Sequence, residues 1–466
     1  MNAAEEDVAV RGVGYRETLR GRRVAVVGLA KSGVAAARLL HAIGASVTAV
    51  DAKPLETLGP DARGLSTLGI RFVPERESQA ALRGADLVVI SPGVAVDAPR
   101  IADARGAGVP VIGELELGWR AMEADAIAIT GTNGKTTTTA LVGALLGMHP
   151  RPVLVAGNIG TPLAAHALTF PIDGLLVCEV SSFQLETIEA FHPRVAAILN
   201  VTPDHLDRHR TVQVYADAKA RIFMNQTPAD CAVINADDEG AMALAGRTRA
   251  DVMWFSRRRR LDHGVFVLDG HIVAKLNGHL EDIMPVSEIF LRGQHNVENV
   301  LAATACALWT GMPPADIRRG VGRFRGVAHR IEFVRELRGV QYFNDSKGTN
   351  VDSTIKAVES FGEPIVLIAG GKGKGQDFGP LAVASRHRVR NVVVIGEDGD
   401  RVAAAFLAEG IPVIRSGPFE EAVTTAMKLA NPGDVVLLSP ACASFDMFDN
   451  FEHRGDVFKK LVERLD

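Results

Sequence analysis

The sequence predicts an α/β protein of three domains, each built around a mostly parallel β-sheet. Short apolar runs typical of buried strands alternate with segments of helical periodicity along the chain, which is the pattern of parallel sheets covered by helices. With 466 residues the chain is too long for one ordinary core, since domains usually hold about 100–200 residues. We place the domain boundaries after residues 117 and 326, giving segments 1–117, 118–326 and 327–466.

The composition excludes several classes of protein. Hydrophobic residues make up 47% of the chain and charged residues 23%, as in ordinary soluble globular proteins. A net charge of −4 gives no electrostatic basis for binding nucleic acid. The N-terminus carries acidic residues instead of the basic start of a signal peptide, and no apolar run is long enough to span a membrane. We expect a cytoplasmic monomer with small-molecule partners and neither nucleic-acid nor membrane partners.

The first segment begins with a strand, turn and helix that predict a Rossmann-like N-terminal domain. An apolar run ends at Gly28, and helical spacing begins after Gly33. The dinucleotide fingerprint needs a further glycine where this chain has Ala30, which argues against NAD or FAD. A different nucleotide remains plausible, because ligands of such sheets bind at the carboxyl ends of the strands. The polar residues predicted at strand ends are Ser32, Asp51 and Ser91.

The second segment carries a predicted site for a nucleoside triphosphate. A buried strand over residues 126–130 leads into a glycine loop, and a helix can follow. Lys135 can neutralise phosphate charge, and the Thr136 hydroxyl can bind Mg²⁺. Two residues separate Gly131 from Gly134, whereas the common phosphate loop has four between its glycines. We therefore predict a central P-loop ATPase-type domain with a mostly parallel sheet and a shortened loop.

Candidate metal, catalytic and nucleotide-binding residues follow later in this segment. Glu179 ends a buried strand, where a nucleotide enzyme keeps an acid for Mg²⁺. His205 lies between Asp204 and Asp207 in the loop after the next strand, and its spacing alone leaves open whether it is structural or catalytic. A polar string ending at Asn299 enters a predicted apolar helix, which suggests contacts to a nucleotide.

The third segment repeats the α/β rhythm and predicts a Rossmann-like C-terminal domain. Apolar strands are expected over residues 365–370, 391–396 and 434–439. A basic, glycine-rich stretch over residues 322–330 marks the junction with the preceding domain. The loop over residues 370–375 carries two lysines after a strand, a position suited to binding carboxylate or phosphate. An exposed turn would have the same composition.

Several separate strings together resemble the Mur ligase family. In chain order they are TGTNGKTTTT, EVSSFQLE, NVTPDHLDRH, GQHNVENVLAA, VAHRIE and NDSKGTN. The resemblance runs from about Val24 to Phe458 and implies three domains that bind a UDP-linked substrate, ATP and an amino acid. Within the family, NDSKGTN and the ending LSPACASFDMFDNFEHRG resemble the members that add D-glutamate to UDP-N-acetylmuramoyl-L-alanine. In those members, ATP converts the substrate carboxylate into an acyl phosphate, which the amine then attacks.

The resemblance also implies which residues act on ATP and Mg²⁺. The catalytic residues would be Lys135, His205, Lys219 and Arg330. ATP would be bound by Gly131, Thr132, Asn133, Gly134, Lys135, Thr136, Thr137, Asn299, Arg330 and Asp345. Mg²⁺ would be bound by Thr136, Glu179, His205 and Lys219. Lys219 matches a lysine that the family carbamylates, a modification that turns a cation into an anion.

Two further sets of residues are implied for the substrates. The UDP-sugar would be bound by Ser32, Asp51, Ser91, Gly93 and Asn158. D-Glutamate would be bound by Thr349, Lys374, Ser444 and Phe451. The chain departs from the family pattern at Ala30 and Lys53, where relatives often have glycine and arginine.

Two other functions are compatible with parts of the sequence. Another ligase of the superfamily, such as folylpolyglutamate synthase or a relative that adds a different amino acid, would share the phosphate loop but not the two C-terminal strings. A Rossmann sensor protein could use the loop only as a switch, but Glu179, His205 and Lys219 would then have no joint purpose. The residues do not identify the group that accepts the proton of the amine, for which His205 is one candidate.

Overall fold

The computed structural model describes residues 10–373 and 375–465, so the predicted D-glutamate contact Lys374 lies outside the described residues. The chain forms two compact units. The first unit contains the described residues up to Glu288 together with Glu298–Gly322, and the second contains Ile289–Val297 together with the described residues from Arg323 onward. Two of the three sheets described below lie in the first unit.

The N-terminal sheet consists of parallel strands in the order β3-β2-β1-β4-β5. The strands are β1 (Arg23–Val27), β2 (Ser46–Asp51), β3 (Arg71–Pro74), β4 (Leu87–Ile90) and β5 (Val111–Gly113). The helices are α1 (Gly12–Leu19), α2 (Lys31–Ile43), α3 (Pro60–Arg63), α4 (Gln79–Arg83), α5 (Pro99–Gly106) and α6 (Glu114–Arg120). The strand order reverses between β1 and β4, and ligands of open α/β sheets bind at such a point. The predicted substrate contacts Ser32, Ser91 and Gly93 follow these two strands.

The central sheet has the order β14-β13-β12-β11-β10-β9-β6-β8-β7. Its strands are β6 (Asp125–Thr130), β7 (Val153–Gly157), β8 (Leu175–Glu179), β9 (Val195–Ile198), β10 (Cys231–Asn235), β11 (Asp251–Ser256), β12 (Gly264–Leu268), β13 (His271–Leu276) and β14 (His279–Pro285). Neighbouring strands from β7 to β12 are parallel, whereas β13 pairs antiparallel with both β12 and β14 and so forms an antiparallel edge. The helices are α7 (Lys135–Leu146), α8 (Ser182–Leu185), α9 (Leu206–His209), α10 (Val212–Ala220), α11 (Glu239–Met242), α12 (Gln294–Trp309) and α13 (Pro314–Arg323).

The C-terminal sheet has the order β15-β16-β20-β17-β18-β19. Its strands are β15 (Glu332–Leu337), β16 (Val340–Asn344), β17 (Ile365–Gly370), β18 (Val389–Ile395), β19 (Val413–Arg415) and β20 (Val435–Leu438). Only β15 runs antiparallel to its neighbour. The helices are α14 (Val351–Glu359), α15 (Gly379–Ser385), α16 (Gly399–Ala408), α17 (Phe419–Leu429) and α18 (Phe451–Glu463).

The prediction of α/β sheets that are mostly parallel is confirmed. Strands such as β4, β8, β9 and β20 are buried along their whole length, because helices cover both faces of a parallel sheet and apolar side chains can fill both. All four cysteines are buried and unpaired. Within the described part of the chain, no helix has both the length and the apolar character needed to cross a membrane.

One predicted boundary is wrong. The polar string before Asn299 was expected to be a loop, but α12 begins at Gln294 and includes most of it. Gly293 precedes the helix with a φ of +91°, a left-handed conformation that glycine adopts without strain. The helix therefore begins directly after this glycine, and the polar residues occupy its first turns.

Candidate active site

The predicted phosphate loop connects β6 to α7 and is held by Asn200, which follows β9. The Thr132 N–H donates to the Asn200 backbone oxygen at 3.0 Å, and the Asn133 N–H donates to Asn200 Oδ1 at 2.8 Å. Asn200 Nδ2 donates in return to the Asn133 oxygen at 3.1 Å. These bonds fix the loop at the N-terminus of α7, where backbone N–H groups bind phosphate. Asn200 was not predicted from the sequence as a site residue, although it begins the string NVTPDHLDRH.

Gly134 allows this loop to approach a predicted nucleotide contact from another helix. It precedes α7 with a φ of +83°, and a Cβ atom at this position would overlap Asn299 Oδ1. The same Oδ1 accepts a hydrogen bond from Thr138 Oγ1 at 3.2 Å. The structure therefore brings Asn299 to the loop, and only glycine fits at position 134.

Two lysines converge on one carbonyl of the loop. Lys135 Nζ donates to the oxygens of Gly131 and Thr132 at 2.8 and 2.9 Å, and Lys219 Nζ donates to Gly131 O at 2.8 Å. The Lys219 residue is 1% exposed, and its Nζ lies 4.4 Å from the centroid of the Tyr215 ring. Burial, and then the charge of Lys135, lower the pKa of Lys219 well below its usual value. Lys219 is therefore a buried lysine and not a solvated surface charge.

Glu179 presents an unsatisfied carboxylate oxygen near this loop. It is buried at the end of β8, and its Oε1 accepts a hydrogen bond from Asn158 Nδ2 at 2.7 Å. Its Oε2 is also buried but has no hydrogen-bond partner in the part of the chain that the structure describes. A buried carboxylate oxygen without a partner is costly. The arrangement therefore indicates that a ligand or cation completes the site.

His205 and Thr136 are the other predicted metal ligands. His205 has a left-handed backbone with a φ of +51° and an exposed ring that meets the edge of Phe183 at a centroid distance of 5.0 Å. Thr136 is buried in the first turn of α7. Across the described residues, no three His, Cys, Asp or Glu side chains cluster as a metal site. Mg²⁺ needs no such cluster, because it usually binds one or two carboxylates together with water and substrate phosphates. The donors present fit Mg²⁺ in that form.

In the N-terminal domain, two predicted substrate contacts also hold the backbone in place. Asp51 accepts from the N–H groups of Leu29 and Lys53 at 2.6 and 2.9 Å. The Ser91 hydroxyl donates to the Gly28 oxygen at 2.6 Å. Both side chains therefore shape the turns at the end of the sheet where its strand order reverses.

The other predicted UDP-sugar contacts differ in their surroundings. Ser32 is half-buried in the first turn of α2, and Gly93 is exposed in the turn after β4. Asn158 follows β7 of the central sheet and binds Glu179. The structure thus brings four of the five residues to one end of the N-terminal sheet and places the fifth beside the predicted metal ligands.

The C-terminal unit contains a buried acid, Asp345, and a half-buried arginine, Arg330, that the resemblance assigns to ATP. Asp345 Oδ2 accepts from Ser439 Oγ at 2.7 Å, and Oδ1 accepts from the Ile331 N–H at 3.2 Å. Burial raises the pKa of Asp345 to about 7, against the opposing effects of the Ser439 hydrogen bond and the Arg330 charge. Arg330 Nε is buried without a hydrogen-bond partner among the described residues, as expected for a group that binds a ligand.

The predicted D-glutamate contacts lie around the ends of β16 and β20. Thr349 is half-buried after β16, Ser444 is buried after β20, and Phe451 is the first residue of α18. The buried Arg454 joins the segments that carry them, because its guanidinium donates to Ser346 O at 2.8 Å and to Cys442 O at 3.2 and 3.3 Å. Arg454 was not predicted from the sequence, although it is the second-to-last residue of the C-terminal string.

Three family models match successive parts of the chain. The Mur ligase MurD-like N-terminal domain matches residues 22–113, the Mur ligase middle domain matches residues 129–307, and the Mur ligase glutamate ligase domain matches residues 329–442. The chain belongs to the Mur ligase family.

Similar proteins extend over nearly the whole chain. A UDP-N-acetylmuramoylalanine--D-glutamate ligase from Koribacter versatilis is 47% identical over 447 residues, covering 96% of this chain and 98% of the relative. The protein of the same name from Pelotomaculum thermopropionicum is also 47% identical, over 445 residues, covering 95% of this chain and 98% of the relative.

Solved structures share the fold at lower identity. The UDP-N-acetylmuramate-alanine ligase MurC from Thermotoga maritima has a TM-score of 0.60 and 21% identity, with 95% of this chain and 99% of that chain covered. A pseudomurein peptide ligase type C from Methanothermus fervidus has a TM-score of 0.58 and 17% identity, covering 96% of this chain and all of that chain.

Proposed function

We propose that this chain is an ATP-dependent ligase that joins D-glutamate to UDP-N-acetylmuramoyl-L-alanine in peptidoglycan precursor synthesis. The observation that carries this proposal is the similarity to UDP-N-acetylmuramoylalanine--D-glutamate ligases at 47% identity over 95–96% of the chain. That similarity includes the C-terminal segment, in which members of the family bind different amino acids. The nucleotide-linked substrate and ATP suit a cytoplasmic enzyme, and we propose that it acts as a monomer.

The reaction must activate a carboxylate, which is a poor electrophile. A carboxylate oxygen of the UDP-linked substrate attacks the γ-phosphorus of ATP, and ADP leaves. The amine of D-glutamate then attacks the carbonyl carbon of the acyl phosphate and loses a proton. Phosphate leaves with one oxygen of the original carboxylate as the amide bond forms.

We propose that the loop residues bind and orient ATP for this transfer. The N–H groups at the start of α7 and the charge of Lys135 stabilise the phosphates. Arg330, whose buried Nε has no hydrogen-bond partner within the described ranges, stabilises charge that develops on the transferred group. Asn299 and Asp345 complete the proposed ATP contacts.

A metal ion and a carbamate complete the proposed ATP site. Thr136, Glu179 and His205 would hold Mg²⁺, which would neutralise phosphate charge. We also propose that Lys219 is carbamylated. Its burial beside Lys135 supports this assignment, because a second cation is unfavourable there and an anion would be attracted.

The two substrates occupy sites at the ends of the outer sheets in this proposal. The UDP-sugar contacts are Ser32, Asp51, Ser91, Gly93 and Asn158. The D-glutamate contacts are Thr349, Lys374, Ser444 and Phe451. A lysine and hydroxyl groups suit the two carboxylates of D-glutamate.

Phosphate release provides the test. The purified chain is supplied with ATP, Mg²⁺ and UDP-N-acetylmuramoyl-L-alanine, and release is compared for D-glutamate, L-glutamate and no amino acid. We expect release that depends on D-glutamate. Release that depends on another amino acid would preserve the family chemistry and contradict the assignment of Thr349, Ser444 and Phe451.

A further inference from the structure

Arg208 joins the N-terminal and central domains within the first compact unit. Its Nη1 donates to the Pro92 backbone oxygen at 2.8 Å, and its Nη2 donates to the Val94 oxygen at 3.2 Å. Nη2 also contacts Glu186 Oε2 at 2.6 Å. The guanidinium lies 4.2 Å from the centre of the Phe183 ring. Only 17% of the Arg208 side chain and 16% of the Glu186 side chain are exposed, so this is a largely desolvated network.

The two carbonyls that Arg208 binds lie on either side of Gly93. They belong to the turn over residues 91–94, which closes with a hydrogen bond from the Val94 N–H to the Ser91 oxygen at 2.9 Å. On the opposite side, the Ser91 hydroxyl holds this turn against Gly28 O. The turn is therefore fixed from within its own domain by Ser91 and from the central domain by Arg208.

The other end of Arg208 is anchored in the segment that carries the predicted metal ligand His205. Both residues lie in the short segment after β9, three positions apart, and the Arg208 N–H donates to the His205 oxygen at 3.1 Å. Glu186 connects this segment to α8, because its Oε1 also lies 3.5 Å from His209 Nδ1. A planar guanidinium with several fixed donors suits this arrangement better than the single ammonium group of lysine.

We propose that Arg208 is a positioning residue that holds the turn over residues 91–94, and with it the UDP-linked substrate, in register with the ATP-binding segment. This inference rests on the proposed function, which supplies the substrate at Ser91 and Gly93. Arg208 acts through the turn and does not touch the reacting atoms. Loss of the Arg208 side chain changes the placement of the turn. This loss weakens binding of the UDP-linked substrate more than binding of ATP.

The test compares Arg208→Ala and Arg208→Lys with the unaltered chain. Steady-state kinetics gives KM values for UDP-N-acetylmuramoyl-L-alanine and for ATP, and calorimetry gives the Kd of the UDP-linked substrate without D-glutamate. We expect Arg208→Ala to raise the KM and Kd for this substrate roughly 10- to 100-fold, while the KM for ATP changes less than about twofold. Arg208→Lys keeps the charge but not the forked geometry, so we expect an intermediate effect.

Arg210→Ala is the matched control. Arg210 lies two residues further on and faces Asp97 of the N-terminal domain at 3.6 Å, but 81% of its side chain is exposed. Surface pairs of this kind contribute little, so we expect unchanged kinetics. Unchanged KM and Kd in Arg208→Ala would overturn the proposal. Equal changes for both substrates, with a lower melting temperature, would also overturn it, because they indicate a general structural role.

The proposed function and this inference fail in different ways. If the unaltered chain shows no turnover that depends on D-glutamate, the proposed function fails before any variant is compared. If that turnover is present and the selective effect of Arg208 is absent, only the inference fails. Should Arg208→Ala not fold, the same comparison with Arg208→Lys decides the question.

Discussion

Lys219 illustrates how burial changes the chemistry available to a residue. A lysine on a helix is normally a solvated cation, but this one is 1% exposed and shares the Gly131 carbonyl with Lys135. Desolvation disfavours its charged form and leaves a neutral amine more accessible. A neutral amine is the form that can react with carbon dioxide, which connects the geometry to the proposed carbamate.

Replacing Lys219 by alanine tests the carbamate. We expect Lys219→Ala to lose about 10- to 100-fold or more in turnover, as when a metal-site ligand is disturbed. Short-chain carboxylic acids should restore part of the activity by placing a carboxylate in the vacated space. Lys428→Ala is the control, because Lys428 is exposed on α17. Full activity in Lys219→Ala, or a loss that no carboxylic acid restores, would contradict the proposed role.

The raised pKa of Asp345 should make the free energy of unfolding depend on pH. Its folded pKa of about 7 lies above the ordinary value of 3.8, so between these values the folded state binds more protons than the unfolded state. The stability from this group is complete below pH 4 and is lost as the pH rises through about 7. The melting temperatures of the unaltered chain and of Asp345→Asn are compared at each pH. The difference between them, unaltered chain minus variant, should fall by several degrees from pH 4 to pH 7. One kcal/mol corresponds to roughly 2–4 °C in a domain of this size. A difference in melting temperature that stays constant from pH 4 to pH 7 would contradict the burial of Asp345.

The sequence identified many of these residues but not their surroundings. The string TGTNGKTTTT predicted the loop because its chemistry is local. The burial of Lys219 depends on how α10 packs against that loop, which helical spacing alone does not define. Asn200 and Arg208 act through contacts with residues distant in the chain, so their roles emerge only when β6, β9 and the turn after β4 are placed together.

At the scale of elements, the short phosphate loop depends on the close approach of α7 and α12. Gly134 lies directly against the Asn299 side chain of α12. The close packing brings an amide side chain to the helix N-terminus. The shortened spacing is therefore compatible with a phosphate site that uses a side chain from a second helix.

Gly134→Ala tests this packing against a matched glycine. Gly134 and Gly108 have nearly the same φ, +83° and +82°, but a Cβ at Gly108 would meet no atom within 4 Å. Left-handed backbone alone costs an alanine about 1–2 kcal/mol, so both variants should lose that much stability. Only Gly134→Ala should also raise the KM for ATP, by about 10-fold or more. Equal KM values in the two variants would show that the contact with Asn299 is unimportant.

Elements were predictable where apolar runs are short and buried on both faces. β1, β6, β8, β17 and β20 could be recognised in this way. The antiparallel edge formed by β12 to β14 was not identified, because β14 has mixed polarity and exposes its first four residues. The start of α12 was misplaced for a related reason, since polar residues at a helix N-terminus have the composition of a loop.

At the scale of the whole molecule, sequence strings, sheet order and family matches agree on three domains. The exact boundaries after residues 117 and 326 stay predictions, because the two compact units divide the chain after Glu288, Val297 and Gly322 and at neither of the predicted positions. The similarity of sequence extends through all three domains, which is why it constrains the substrate as well as the fold. The order of strands in the sheets concerns only the architecture and gives no information about the substrate.

The four buried cysteines give a test of the folded state of the whole chain. Burial raises the pKa of Cys231 and Cys442 to about 12, and it also raises the pKa of Cys178 and Cys306. Thiolate is the reactive form, so the native chain should not react with Ellman's reagent within minutes. Unfolding in guanidinium chloride should expose all four thiols. Rapid reaction of any of them in the native state would contradict its burial.

Isotope transfer in a single reaction tests the central claim most directly. UDP-N-acetylmuramoyl-L-alanine labelled with ¹⁸O in both oxygens of its carboxylate is incubated with ATP, Mg²⁺ and D-glutamate. The masses of the released phosphate and of the UDP-linked product are then measured by mass spectrometry. We predict one ¹⁸O atom in the released phosphate, one retained in the new amide, and a product extended by one glutamate. Unlabelled phosphate, or an unchanged UDP-linked substrate, would contradict the assignment of this chain as a ligase that adds D-glutamate through an acyl phosphate.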